Sequence, residues 1–424
     1  MENRTQSVTN FYEVMKVNEK ANVLVCYTIE QIKSILFKIV NRTMPQYFTR
    51  KSPLDFKNTT LLILRMVKKS SKAELMDYFH DAGEPIEIPS RQALAQAREK
   101  ISHLAFKDFF DKSCELVISD NEPELYKGYR LFAIDGTSFV VGELSKLSEY
   151  FGDSTTVSGK AMCRLSAVVD VLSDSIANAI VSPFCVGERA LAISQTEVLE
   201  SVHNALFLFD RGYWSPELVE KIIGNGQKFL MRLTSTNSKS CITDETGVLH
   251  HLRRYSFILP SGNEEVLLTN IPESEMSDDE LAALYAKRWG VETKYLELKA
   301  RLQIDKFSGE STNIVLQDIY STLYISNLVA FICESSDEII EEKTADKGNK
   351  YKQKANRAVC ISALRRRFVG ICLSDDPQTV TAALQRLCDD ISRSVSYVGK
   401  SKPRHRNKRI IKDSRRRRLY KPIL

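Results

Sequence analysis

The chain has 424 residues, 27% of them charged and 43% hydrophobic, with a formal net charge of +6. That make-up belongs to a globular protein with chain enough for two or three domains, and it excludes a disordered polymer. Nine dispersed cysteines without a C-x-x-C pair exclude a disulfide framework and a thiolate zinc site, and read as reduced thiols of a cytosolic protein.

From the N-terminus, MENRTQSVTNFYE lacks the basic-then-apolar plan of a signal peptide. Apolar positions recur with helical period in VLVCYTIEQIKSILFKIV and LLILRMVKKSSKAELMDYF, and Ser90 is placed to cap a helix over RQALAQAREKI. Helix, break and helix led by Arg91, Gln92 and Gln96 fits a helix-turn-helix in a major groove, and equally fits two packed amphipathic helices. From Tyr129 the texture changes to strands in YRLFAIDGTSFVV, CRLSAVVDVLS, SIANAIVSPFCV and HNALFLFD. A helix over ERALAISQTEVLESV precedes the fourth strand; another, SPELVEKIIGNG, follows it and leads to a fifth strand, KFLMRL. Three strands, then helix, strand, helix and strand describe an α/β mixed sheet flanked by helices. No glycine-rich phosphate loop follows the first strand, so this is not a dinucleotide-binding plan.

Residues 234–270 alternate turn residues with short strand-like runs and read as a small β insertion. Ser277 and Glu280 then form a capping box, so a helix is expected from Asp278. The stretch from 310 to about 395 is helical, broken by the polar linker DEIIEEKTADKGNKYKQK. Its most apolar run, STLYISNLVAFIC (321–333), is too short and too polar to cross a bilayer, and no membrane partner is expected. From Lys400 onward twelve Lys or Arg face one acid, Asp413, so this tail carries +11 and leaves −5 for residues 1–399. A basic tail on a mildly acidic body points to a polyanion, most simply nucleic acid.

Two features carry chemistry. Asp135 closes the apolar run LFAID and Asp210 closes LFLFD, positions at buried strand ends where an unpaired charge is costly unless it is paired or ligates a cation. On the helix from Asp278, Tyr285, Arg288, Glu292 and Lys299 fall at about 0, 300, 340 and 320° when each residue turns about 100°. An apolar stripe of Leu284, Val291, Tyr295, Leu298 and Leu302 adjoins that arc. Two strand-end aspartates and a sheltered Glu292 make the three carboxylates that can hold two magnesium ions for in-line displacement at phosphorus. Arg288 and Lys299 share the arc and suit phosphates of the strand being cut. Trp289 suits stacking on an unpaired base, or equally a place in the core. The six histidines show no ligand-like spacing.

FAIDGTSF, FLFDRGYWS and a Y-x2-R-x3-E-x6-K signature, met by Tyr285, Arg288, Glu292 and Lys299, stand in order along the chain. With these blocks the sequence resembles the DDE transposases of the insertion-sequence-four group over roughly residues 50–335. The resemblance implies a ribonuclease-H-like α/β domain at 125–335 with the β insertion at about 234–270. It implies an N-terminal helical, DNA-binding domain at 1–120, and leaves 336–424 as a C-terminal helical region with a basic tail. Asp135, Asp210 and Glu292 match the family's catalytic, metal-binding triad; Tyr285, Arg288 and Lys299 match its contacts to DNA near the scissile phosphate. Two Mg²⁺ ions are the implied cofactors, with Mn²⁺ as a substitute. Double-stranded DNA is the implied partner, both transposon ends and target, bound by a homodimer in the cytoplasm of a prokaryote. A ribonuclease-H-like nuclease without strand transfer and a catalytically silent DNA-binding descendant are the competing readings. A tyrosine recombinase would need basic catalytic residues around its tyrosine that no other block supplies.

Overall fold

The computed structural model describes residues 19–65, 70–83, 87–142, 145–152, 160–234, 237, 240–244, 246–258 and 262–398. The basic tail from Lys400 lies outside them. Contacts divide the chain into two compact units, one of residues 114–300 and one combining 1–113 with 301–424.

The unit of 114–300 is built on a seven-stranded sheet in the order β3-β2-β1-β4-β5-β9-β8. β1 (Arg130–Gly142), β2 (Ala161–Asp170) and β3 (Ser175–Pro183) form an antiparallel meander. β4 (Ala205–Phe209) and β5 (Lys228–Leu233) join on the other side of β1 as parallel strands, each reached through a helix, Glu188–Val198 and then Pro216–Gly224. β4, ALFLF, is buried at all five residues. That explains its unbroken apolar run, since a parallel strand covered on both faces has no solvent side to alternate with.

β9 (Glu264–Thr269) pairs with β5, and β8 (Arg253–Ile258) pairs with β9, so half of the expected β insertion extends the main sheet. Among the described residues, β6 (Cys241–Thr243) and β7 (Leu249–His251) form a separate hairpin. Burial in β8 alternates residue by residue, as an edge strand with one wet face requires.

The other unit is helical. Helices Glu19–Lys33, Ile35–Asn41, Phe56–Arg65, Ser71–Asp81 and Arg91–Glu99 pack with Thr312–Thr344, Arg357–Cys372 and Pro377–Ser392. Lys352–Ala355 and Val395–Val398 form a two-stranded sheet within it. The helix Thr312–Thr344 has 33 residues and runs through EIIEEKT, which the sequence reading had given to a linker. Ile339 and Ile340 are buried there, so the last turns are held by packing although their other face is charged. Its most apolar 18-residue window is long enough to span a membrane, and all of it is buried inside the protein.

Buried polar pairs tie this helix to the N-terminal helices. The Thr28 hydroxyl lies 2.9 Å from the Tyr324 hydroxyl, and Arg98 Nη2 is 2.8 Å from Asp318 Oδ1. By contacts, the chain from Arg301 onward groups with the helical unit. Breaking a buried ion pair strands a charge away from water. Arg98→Ala should accordingly destabilise the helical unit by about 3 kcal/mol, read as a lowered midpoint in chemical denaturation. Ser90 caps the helix Arg91–Glu99 as expected, its hydroxyl accepting from the Ala93 amide at 3.1 Å. Leu94, Ala97 and Arg98 face inward while Arg91, Gln92 and Gln96 stay exposed.

Candidate active site

β1 passes through Asp135 rather than ending there, but its character changes at that residue. Arg130 to Ile134 are buried, and the next four residues are only partly so. The parallel ladder with β4 runs from Arg130 opposite Ala205 to Ala133 opposite Leu208. Continued by two residues, that register sets Asp135 beside Asp210, just past the last residue of β4. β1 thus loses its parallel neighbour where its carboxylate emerges, and the two aspartates sit on adjacent strands at one edge of the core.

Each aspartate is fixed by local backbone. Asp135 Oδ1 accepts from the Gly136 amide at 2.9 Å. Asp210 caps the short 3-10 turn Arg211–Tyr213 and accepts from the Arg211 amide at 2.8 Å. Tyr285 donates its hydroxyl to Asp210 Oδ1 at 3.4 Å, and Arg232 Nη1 stands 3.9 Å from the same oxygen. Burial pushes the Asp135 carboxyl up to about 6; Glu188 and Glu292 add to the rise, and the Gly136 amide and Arg288 oppose it.

The capping box forms as expected at Ser277 and Glu280. The helix it starts is not continuous: it ends at Ala286, and a second runs from Trp289 to Ala300. Lys287 and Arg288 make the turn between them, with the Arg288 amide donating to the Tyr285 carbonyl at 3.0 Å. The apolar stripe still docks, with Leu284, Val291 and Leu298 fully covered. Gly290 permits the close approach, because a Cβ there would sit 3.1 Å from the Val171 side chain.

Tyr295 was read only as part of that stripe, yet it does more. Its hydroxyl donates to the Asp135 carbonyl at 2.6 Å, stapling the helix of Glu292 to the strand of Asp135. Lys299 Nζ donates to the Thr137 hydroxyl, two residues beyond Asp135. Arg288 is nearly buried, its Nη2 2.8 Å from Glu292 Oε1 and its guanidinium over the Tyr285 and Trp289 rings. Trp289 is 56% exposed, which removes it from the core and leaves its ring open to a partner.

The structure therefore brings Asp135 and Asp210 to one place, with Tyr285 on Asp210 and Lys299 beside Asp135. Glu292 is turned onto Arg288. Among the described residues no three His, Cys, Asp or Glu side chains stand close enough to share one metal ion. The donor set nevertheless fits a divalent cation: its groups are hard carboxylate oxygens, and Glu188 and Glu292 load the surroundings of Asp135 with negative charge.

The raised Asp135 carboxyl has a measurable consequence. The folded state binds this proton more tightly than the unfolded chain, so the cost of ionising Asp135 appears as pH rises from about 4 to about 6 and persists above it. Asp135→Asn should then stabilise the metal-free protein by about 2 kcal/mol at pH 8, a figure discounted for partial exposure, and by almost nothing at pH 4. Thermal melts across that range check it.

Residues 126–328 match the family described as Transposase DDE domain. The protein InsZ of Escherichia coli (strain K12) is 27% identical over 148 residues, 33% of this chain, and the match spans about half of InsZ, 48%. Transposase InsG for insertion sequence element IS4, from the same organism, is 21% identical over 316 residues, 66% of this chain and 70% of InsG. Among solved structures, the piggyBac transposase synaptic complex with hairpin DNA superposes with a TM-score of 0.50 at 11% identity, covering 89% of this chain and 87% of that one. That likeness is one of fold, and the mixed sheet flanked by helices is the ribonuclease-H-like one.

Proposed function

The chain belongs with the DDE transposases of the insertion-sequence-four group, and from that premise we propose that it binds the terminal inverted repeats of its element and catalyses metal-dependent strand cleavage and strand transfer. The observation that supports this most is the parallel pairing of β1 with β4, whose register carried on two residues sets Asp135 beside Asp210, with the helix of Glu292 stapled to the Asp135 carbonyl by Tyr295. Asp135, Asp210 and Glu292 would hold the ions, Mg²⁺ or Mn²⁺. When bound, such ions activate the attacking oxygen and stabilise the leaving oxygen of an in-line displacement.

The chain's own groups prepare that step. Tyr285 and the Gly136 and Arg211 amides hold the aspartates in fixed orientations before any substrate arrives. Arg288 keeps Glu292 paired until a competing charge draws one of them away, and a DNA phosphate and a metal ion are the two charges that would do so. Lys299, close to Asp135 through Thr137, is placed to meet a second phosphate. The exposed Trp289 ring suits an unstacked base beside the cut.

We assign recognition of the ends to the helical region of residues 1–120, where Arg91, Gln92 and Gln96 lie exposed at the start of a capped helix. A homodimer joining two ends, acting on DNA in the cytoplasm, completes the reading. The test is incubation of the purified chain and Mg²⁺ with its element's own end as labelled duplex. A nick that frees a 3′-hydroxyl, followed by joining to a second duplex, is expected. Nicking without joining would leave a nuclease, and tight binding of the end without nicking would leave a silent DNA-binding protein.

A further inference from the structure

The helical unit holds a cleft of about 460 Å³, and among the described residues its charged lining is four arginines and one acid. Arg65 ends the helix Phe56–Arg65, and Arg301 follows the helix Trp289–Ala300. Arg365 and Arg366 lie in the helix Arg357–Cys372, one turn after Ser362, which also lines the cleft. The acid is Asp77, on the helix Ser71–Asp81.

Two of these arginines carry buried donors that the described residues leave unbonded. Arg65 is 6% exposed. Its Nη2 is 2.7 Å from Asp81 Oδ2, but its Nε and Nη1 have no hydrogen-bond partner. Arg365 donates from Nη2 to the Arg301 carbonyl at 3.4 Å, a long hydrogen bond, and its buried Nε has no partner. Burial pulls the proton affinity of Arg365 down, with Glu74 opposing, yet a guanidinium stays charged at neutral pH. A buried charged donor without a partner is costly, and a fold that keeps three of them in one cleft calls for a group to satisfy them. The fork of a guanidinium matches two oxygens of one phosphate.

We propose that this cleft is a phosphate site that seats a backbone phosphodiester of duplex DNA, with Arg65 and Arg365 within it and the exposed Arg301 and Arg366 at its mouth. This rests on the reading that the chain binds DNA, and it places one contact in the helical unit. A polymer fits better than a small free anion. The helix Arg357–Cys372 carries four arginines and no acid in its 16 residues, so the basic surface runs on beyond the cleft. Arg301 also comes two residues after Lys299 in the chain, so the segment assigned one phosphate contact leads directly into the residues of another. Such a contact positions the duplex and reads no sequence.

The test measures affinity of the full-length chain for the element's end and for a scrambled duplex across a salt series. Wild type is compared with Arg365→Met, Arg366→Gln and a charge control, Arg393→Met, whose side chain is 77% exposed and outside the cleft. Each cleft variant should weaken both duplexes alike and flatten the salt dependence by about 0.9 log units per tenfold change in salt, the loss of one phosphate contact. The control should keep the wild-type slope. Thermal melts without DNA should show Arg365→Met at least as stable as wild type, because the change removes an unbonded buried donor; a merely structural arginine would give a loss of stability and an unchanged slope. Melts with inorganic phosphate separate the sources. Stabilisation by phosphate that needs Arg365, with DNA binding indifferent to it, would make this a free-anion site and overturn the proposal. Wild-type slopes in both cleft variants, or an equal flattening in the control, would also overturn it and leave the DNA-binding reading standing. Failure of the wild type to bind either duplex would overturn both.

Discussion

Asp135→Asn, Asp210→Asn and Glu292→Gln should each lower cleavage of the element's end by roughly a thousandfold or more, while leaving DNA binding within a few-fold of wild type. Each swap keeps the side chain's shape and removes the charge that holds a cation. Groups that act as one unit lose most of their effect when any member is lost, so the double variants should be hardly worse than the single ones. Asp135→Asn carries its own internal control. Because the Asp135 carboxyl is pushed up to about 6, the same change that stops cleavage should make the metal-free protein harder to unfold above pH 6. A carboxylate kept at a stability cost is what selection for activity rather than for stability leaves behind. Near-normal nicking by any one variant in a strand-nicking assay would remove that residue from the triad. A loss of DNA binding in parallel with cleavage would show that the site had collapsed instead.

The strands that position the aspartates were legible because each carries an apolar run broken by a charge, a pattern set by local chemistry, although β1 runs on past its aspartate and only β4 stops at it. The capping boxes and caps at Ser90 and Ser277 were legible for the same reason: each depends on residues three apart. The break at Lys287–Arg288 was not, since no proline marks it and the role of Gly290 just beyond it shows only in the close packing against Val171. Nor could the run EEVLLT declare whether it joins β5 or stays in an insertion, because pairing with Leu230–Leu233 is a contact across some 35 residues of sequence. Tyr295 shows the same limit within one residue: its ring fits the apolar stripe and its hydroxyl finds the Asp135 carbonyl.

Deletion of residues 400–424 should weaken binding to specific and random duplexes alike, and flatten the dependence of affinity on salt. The segment holds twelve basic residues and one acid, and its aromatic content is a single tyrosine. Dense charge without a fixed recognition face contacts phosphates, and each phosphate so neutralised releases counterions. Affinity then falls by about 0.9 log units per contacted phosphate for each tenfold rise in salt. If roughly half of the tail's basic residues engage phosphates, the full chain should lose about a thousandfold in affinity between 50 and 200 mM salt, and the truncated chain far less. The remaining body, residues 1–399, carries −5 and repels DNA at long range, so the tail also has to supply the attraction that brings a duplex to the carboxylate edge of the sheet. Filter binding or anisotropy across a salt series, with the element's end and a scrambled duplex, reads both effects. Should the truncated chain bind random DNA as before and lose its preference for the end, the tail would be the recognition element, and the assignment of Arg91, Gln92 and Gln96 to that task would fall with it.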